Sequence, residues 1–311
     1  MAVDFKIHFL GTSSAVPTKD RGLSCIAISY ENTLAFFDCG EGCQRAVINS
    51  ALGFNKDCNV FISHMHGDHV VGLLGLLQTM SMNRREKQLQ VFGPRGIIEF
   101  VTMNKKVLNF GLTFEVLVKE IKRAGLIFEH PKYRVYAARS EHSATSYSYI
   151  FEEREKPGKF NTKKALKLGV PEGPLWSKLQ HGSKVVSPKS GKTVRPEQVL
   201  GPPRKGKRIG ISGDTRPSKE LEEFFNGCDV LIFDSTYSDE HANNAVENMH
   251  STAREAAKLA KKARVKQQLF LTHFSARYTD VSALVKQARG VFPKTTATED
   301  GMVYDVSGAR S

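Results

Sequence analysis

Apolar and polar positions along the chain change period several times, and each change marks an element. Between residues 3 and 9, Val3, Phe5, Ile7 and Phe9 alternate with Asp4, Lys6 and His8. That is the period-two pattern of a half-buried strand, not the apolar run of a signal peptide. TLAFFDCG reads as a strand ending in a turn, and NVFISH and LQVFGP read as further strands. CQRAVINSALG, HVVGLLGLLQTM and GIIEFVTMNKKVLNF have helical spacing. LTFEVLVKEI and YRVYAARS return to β. Late in the chain KRIGISGD, DVLIFDST and QQLFLTH read as strands, and SKELEEFFNG, STAREAAKLAKKARV and VSALVKQARGVF as helices. This alternation, without long repeats or heptads, predicts a layered α/β sandwich.

Residues 152–207 break the pattern. The segment is rich in Pro, Gly and Lys, with one short helix-like patch at TKKALKLG. It is too apolar for a disordered linker and too broken for a core. It therefore reads as an arm inserted into one domain spanning residues 1–311.

Composition changes this picture little, and charge changes it more. Hydrophobic residues make up 40% and charged residues 25%, ordinary for a soluble globular protein. No apolar run approaches the roughly 18 residues that span a membrane. Five cysteines at irregular spacing (Cys25, Cys39, Cys43, Cys58 and Cys228) form no disulfide framework, and they point to free thiols in a reducing, cytoplasmic setting. From Glu152 to Arg208 there are 15 Lys and Arg against 5 Asp and Glu, so this segment carries +10 of the chain's +13. A basic segment in an otherwise near-neutral chain favours a polyanionic partner.

The densest chemistry is FISHMHGDHVVG, which holds His64, His66, Asp68 and His69 within six residues. On an extended loop His64 and His66 point to the same side. Gly67 is expected to allow a sharp turn, after which Asp68 and His69 open a helix and address a second ion. Imidazole with carboxylate suits zinc, with manganese or iron as other occupants. Three further candidates stand at the ends of β-like runs: His142 after YRVYAARSE, Asp214 after RIGISG and His273 after QQLFLT. Singly each is weak, but their joint order is specific.

With FLGTSSAVPT, FFDCGEGCQRA, SHMHGDHVVGLLGLL, SGDTRPS, NMHSTAREAA and LTHFSARY in this order, the whole chain resembles the ribonuclease Z family of the metallo-β-lactamase superfamily. The resemblance implies an αββα sandwich carrying a basic flexible arm. It implies two Zn2+ per subunit, with Mn2+ as an alternative. His64, His66 and His142 would hold one ion, Asp68, His69 and His273 the other, and Asp214 would bridge them. Cys43 occupies a position where the family motif has Thr.

The implied activity is removal of 3′ trailers from precursor tRNA, leaving a 3′-hydroxyl on the tRNA and a 5′-phosphate on the trailer. A different hydrolase of this fold, a phosphodiesterase, thioesterase or broader RNase, is the alternative. In the implied mechanism Asp68 is the general base, His250 the general acid and Asp234 its acidic partner. Thr252 to Glu255 also matches a capping box, so MHST starts a helix whichever role His250 has. A helix N-terminus disfavours imidazolium, so a carboxylate would have to compensate.

Ser275 and Arg277, just after His273, suit contacts to the scissile phosphate. Lys19 and Arg21 lie in PTKDRG, which resembles the family's PxKxRN loop but has Gly22 in place of Asn. In the arm, KPGKF (with Lys156, Gly158, Lys159 and Phe160) and GPLW (with Gly173 and Pro174) resemble the family's tRNA-binding exosite. Gripping A-form RNA through its phosphates suits many tRNA sequences. The resemblance further implies a homodimer in the cytoplasm.

Overall fold

The computed structural model describes residues 5–307. The part of the N-terminal strand pattern before Phe5 lies outside the described residues. The chain divides into two compact units. The first comprises the chain up to Glu129, Arg134–Phe151 and everything from Arg208 onward; the second comprises His130–Tyr133 and Glu152–Lys207.

The first unit is built on two seven-stranded sheets. One runs, in spatial order, Val303–Asp305, Phe5–Gly11, Cys25–Tyr30, Thr33–Phe37, Asp57–Phe61, Leu89–Gly93 and Val116–Glu120. The other runs Thr295–Ala297, Gln268–Thr272, Val230–Asp234, Arg208–Ile211, Ser146–Glu153, Tyr133–Ser140 and Gly125–Glu129. The inner strands of the parallel stretches are continuous apolar runs, such as VLIFD and QLFLT, because both of their faces are covered.

Alternation within the first sheet sorts its side chains. Phe37, Phe61 and Phe92 are register partners on neighbouring strands and stack with centroids 5.3 and 5.2 Å apart. They face the second sheet, whose Tyr149 ring lies 5.6 Å from Phe37 and whose hydroxyl donates to the carbonyl of Ile62. The opposite face presents Leu34, Phe36, Cys58, Val60 and Val91 to the helices Gly72–Met82 and Ile97–Val107, packing them against Leu73, Leu76, Leu77, Met80 and Val101. Each fully buried side chain of this size contributes about 1.5–3 kcal/mol.

On the second sheet, Ala253–Lys262 presents Ala253, Ala256, Ala257 and Ala260 inward, small enough to let the helix lie close on the strands. Helices thus cover the outer face of each sheet, giving the expected αββα sandwich. All five cysteines are buried thiols outside any disulfide. Among the described residues no helix is long and apolar enough to cross a membrane.

The second unit folds around its own small apolar cluster of Ala165, Val170, Leu179, Val185, Val194 and Val199. TKKALK forms a helix at Thr162–Lys167, capped by the Asn161 side chain, as its spacing predicts. PLWSKLQ was not legible as a helix, yet Pro174–Gln180 is one. Pro174 at the first helical position is compatible with helix geometry, and Gly173 (φ 137°) sets the chain's entry. The helix turns Trp176 onto Phe160, centroids 5.2 Å apart, and the indole N–H donates to the Val170 carbonyl at 3.0 Å.

Candidate metal centre

Parallel strands point their carboxyl ends to one side, so residues just past those ends gather there. His64 follows Asp57–Phe61, Asp214 follows Arg208–Ile211, and His273 follows Gln268–Thr272 directly. His142 follows the antiparallel strand Tyr133–Ser140. Asp68 and His69 sit in the short helix Gly67–Val70. His66, extended at φ −65° and ψ 145°, starts that helix and makes the turn. The chain turns into a helix at Gly67 as expected, but the turn does not demand a glycine. Gly67 is not among the positive-φ glycines, and a Cβ there would meet only Val71 Cγ2, at an ordinary 3.5 Å.

Gly213 is a glycine that the centre requires, as is Gly40, where a Cβ would stand 2.5 Å from the Asp68 carbonyl oxygen. The φ of Gly213 is +59°, and a Cβ there would stand 2.8 Å from the Cβ of Ser63. His273 is itself left-handed, at φ 63°, a conformation uncommon for a residue with a Cβ.

Two groups of ligand atoms result. The donor atoms of His64, His66 and His142 lie within 4.8 Å of one another, as do those of Asp68, His69, Asp214 and His273. Asp214 stands between the groups. Its Oδ2 is 3.6 Å from His64 Nε2 and 3.2 Å from His69 Nε2, and its Oδ1 is 3.3 Å from His273 Nε2. Asp68 Oδ2 is 3.5 Å from both His69 Nε2 and His273 Nε2.

Outer hydrogen bonds fix most of the rings. His142 donates Nδ1–H to the Met249 carbonyl at 3.0 Å. His69 donates Nδ1–H to Asp38 Oδ2 at 2.7 Å. His64 Nδ1 meets Ser63 Oγ at 2.9 Å, and that hydroxyl donates to Asp38 Oδ2. His273 Nδ1 meets Thr236 Oγ1 at 2.9 Å, and that hydroxyl donates to Asp234 Oδ1. Each of these four rings therefore directs Nε2 inward, as metal-ligating histidines do.

These residues fit divalent ions. His64 Nε2 is buried without any hydrogen-bond partner, a costly state unless another group engages its lone pair. Burial, and then the neighbouring His69, push the His64 pKa down to about 2, which keeps that lone pair free of a proton. His142 is lowered as well, first by burial. Asp214 is fully buried, which raises a carboxyl, yet the His273 and His69 charges hold it well below its ordinary range. Burial likewise opposes ionisation of Asp68, but hydrogen bonds from His273 and His69 override it. Against burial, Asp214 and Asp38 raise His69, which would give up a proton to an arriving ion. Imidazoles and ionised carboxylates converging in this way form a donor set for zinc or manganese.

Beside the ligands, His250 Nδ1 lies 2.8 Å from Asp234 Oδ2. Asp234 is fully buried and accepts from Thr215 N–H, Thr236 N–H and Thr236 Oγ1 as well. Burial pushes His250 down, but the Asp234 charge and hydrogen bond prevail and raise it to about 9. Thr252 and Glu255 form the reciprocal capping box of the following helix, so His250 stands at a helix start with a compensating carboxylate.

The other expected contact residues are placed as follows. Ser275 Oγ accepts from Arg277 Nε at 3.1 Å, and the exposed Arg277 guanidinium lies 5.0 Å over the Tyr237 ring. Lys19 is exposed at a cavity of about 750 Å³. Arg21 is turned into the loop's base, where Nη1 donates to Thr12 Oγ1 and to the Thr298 carbonyl. Within the second unit Lys156 pairs with Glu153, and Lys159 accepts from Gly201 N–H through its carbonyl. Gly158 lets two segments touch, since a Cβ there would stand 1.9 Å from the Gly201 carbonyl oxygen.

Asp38 and Thr236 were not singled out in the sequence. The only trace of Asp38 is an acid ending the strand in FFDCG, and Thr236 carries no signal beyond its place next to the Asp234 strand end.

Comparison with known proteins gives the chain's family. The family model of the anti-Pycsar protein Apyc1 matches residues 5–153, and that of the β-lactamase superfamily domain matches residues 177–274. Ribonuclease Z of Nitrosopumilus maritimus is 50% identical over 301 residues, covering 97% of this chain and 99% of its own. Ribonuclease Z of Methanosarcina acetivorans is 44% identical over 302 residues, covering 97% and 98%. The crystal structure of human tRNase Z, short form, superposes with a TM-score of 0.69 at 25% identity, covering 97% of this chain and 99% of that one. At such identity over nearly its full length, the chain belongs to the ribonuclease Z family.

Proposed function

We propose that this chain is the endoribonuclease that removes 3′ trailers from precursor tRNA, leaving a 3′-hydroxyl on the tRNA and a 5′-phosphate on the trailer. The observation that carries this reading is the juxtaposition of seven candidate ligands with the His250–Asp234 pair, in a chain half identical to a ribonuclease Z. Two zinc ions, or manganese, would be held by His64, His66 and His142 on one side and Asp68, His69 and His273 on the other, with Asp214 shared. Ions bound there supply Lewis acidity toward a phosphodiester and lower the pKa of water toward neutrality.

The protein's own residues do the rest. Asp68 is ionised at neutral pH and is oriented by the Ala15 N–H at 2.8 Å, so it can take the attacking water's proton. His250 carries its proton at neutral pH and gives it to the departing ribose oxygen. Asp234 holds His250 and, through Thr236, His273 in fixed orientations. Ser275 and Arg277 meet the scissile phosphate, and Lys19 and Arg21 belong to the loop facing the 3′ end.

The second unit is the tRNA-gripping arm. Its lysines neutralise backbone phosphates, while Lys156, Gly158, Lys159, Phe160, Gly173 and Pro174 form the contact region. The reading includes a homodimer in the cytoplasm, with one subunit's arm serving the other's centre. Incubation with trailer-bearing tRNA, with and without chelator, tests it by mapping the cut. A single cut at the trailer junction that chelator abolishes is expected. Cleavage of a generic aryl phosphodiester with the tRNA left intact would point to another hydrolase of this fold.

A further inference from the structure

Near the centre runs a loop, Thr12 to Leu23, whose tip from Ala15 to Asp20 is largely exposed and whose two ends meet in a neck. At the outgoing end Ser13 and Ser14 pair with Phe274 and Ser275, directly after His273, and Ala15 N–H reaches Asp68. At the returning end the Gly22 carbonyl accepts from Thr12 N–H at 3.0 Å and Ser13 N–H at 2.9 Å.

Asp300 reaches this neck from far along the chain. Its Oδ1 accepts from the Thr12 hydroxyl at 2.7 Å, and its Oδ2 accepts from Gly22 N–H at 2.6 Å. One carboxylate therefore holds both ends of the loop. Thr12 Oγ1 also accepts from Arg21 Nη1 at 2.6 Å, and the Arg21 guanidinium lies 4.8 Å over the ring of Phe274, the neighbour of His273. Gly22 permits this approach, because a Cβ there would stand 3.3 Å from Asp300 Oδ2. Beyond the neck the loop walls the 750 Å³ cavity together with Arg45, Asn49 and Asp300 itself.

We infer that Asp300 is a positioning residue for RNA cleavage: by closing the neck it sets where the loop tip stands relative to the metal centre. This rests on the reading above in one respect, that the loop meets the RNA. Removing the carboxylate leaves the fully buried Thr12 hydroxyl and the part-buried Gly22 amide without their acceptor, which loosens the neck. The tip beyond Ala15, from Val16 to Asp20, then loses its register. The pairing of Ser13 and Ser14 with Phe274 and Ser275 keeps Ala15 on Asp68, and the ligands, which Asp300 does not touch, stay in place. The consequence falls on large substrates that span the loop, and not on small ones that need only the centre.

The experiment compares Asp300→Ala and Asp300→Asn with the parent protein on trailer-bearing tRNA and on a small aryl phosphodiester. In Asp300→Ala the KM for tRNA is expected to rise about tenfold and the cut to scatter over neighbouring positions, with turnover of the small ester within about twofold. Asp300→Asn keeps an acceptor oxygen and restores most of the tRNA activity and the single cut. Equal losses on both substrates would mark a merely structural role and overturn the inference.

A second measurement does not depend on the RNA reading. Trypsin should cut after Lys19 several-fold faster in Asp300→Ala than in the parent protein. An unchanged rate there overturns the inference, even if the parent protein proves to cleave no tRNA and the proposed function falls.

Discussion

His250 Nδ1 and Asp234 Oδ2 are 2.8 Å apart, and this contact holds the imidazole protonated against both burial and the neighbouring helix start. A proton donor matters only when the leaving group needs a proton. His250→Ala should therefore lower turnover of tRNA by about 10²–10⁴-fold while barely affecting an aryl phosphodiester, whose leaving phenolate departs unaided. Parallel losses on both substrates would remove His250 from the role of acid.

The same pair fixes a pH dependence. A donor raised to about 9 is active below that pH and is lost as pH rises through it, so tRNA cleavage should decline on the alkaline side. Asp234→Asn removes the charge that raises the donor, and the alkaline limb of kcat/KM should move to lower pH. A limb that stays in place would assign it to another group.

Asp68→Ala should abolish cleavage while tRNA affinity persists, because the residues assigned to binding lie largely in the second unit. Filter or gel-shift binding at fixed salt measures this directly. Loss of binding in step with loss of cleavage would refute that division of labour.

Asp38 touches the His69 ring and the Ser63 hydroxyl that serves His64, so it orients one ligand from each group. Asp38→Ala should weaken metal retention about 10–100-fold, seen as lower metal content after dialysis against a weak chelator. Full retention would mean that the rings are held by packing alone.

Trp176→Ala removes the ring against Phe160 in the small cluster of the second unit. Destabilisation of about 3 kcal/mol is expected for that unit, at the low end for such truncations because the indole is only half-buried. Protease sensitivity should rise within residues 152–207, with small-ester turnover unchanged. Unaltered sensitivity there would show that Trp176 is not part of the unit's core.

Most of the candidate centre was legible because few side-chain types can ligate a metal, and four of the seven candidates fall within six residues. The strand ends supplied the other three. Asp38 and Thr236 were not legible, since a group that orients a ring through one hydrogen bond is constrained only by folded distance. Apolar runs with one clear period gave the sandwich. Ser146–Glu153 was missed because SYSYIFEE buries serine and tyrosine as well as isoleucine, satisfying them with hydrogen bonds that no period reveals, such as Tyr147 to the Ile121 carbonyl. The helix at Pro174–Gln180 was hidden by its own starting residues, because Gly-Pro reads as a turn until the chain after it is seen to coil.

The candidate ligands come from both sheets: His64 follows a strand of one, while Asp214 and His273 follow strands of the other. Metal bound among them would act as a thermodynamic staple between the two halves of the sandwich. No such site exists in the unfolded chain, so the free energy of loading is added to that of folding. The melting temperature should accordingly track free metal concentration, with chelation lowering it even where no RNA is present.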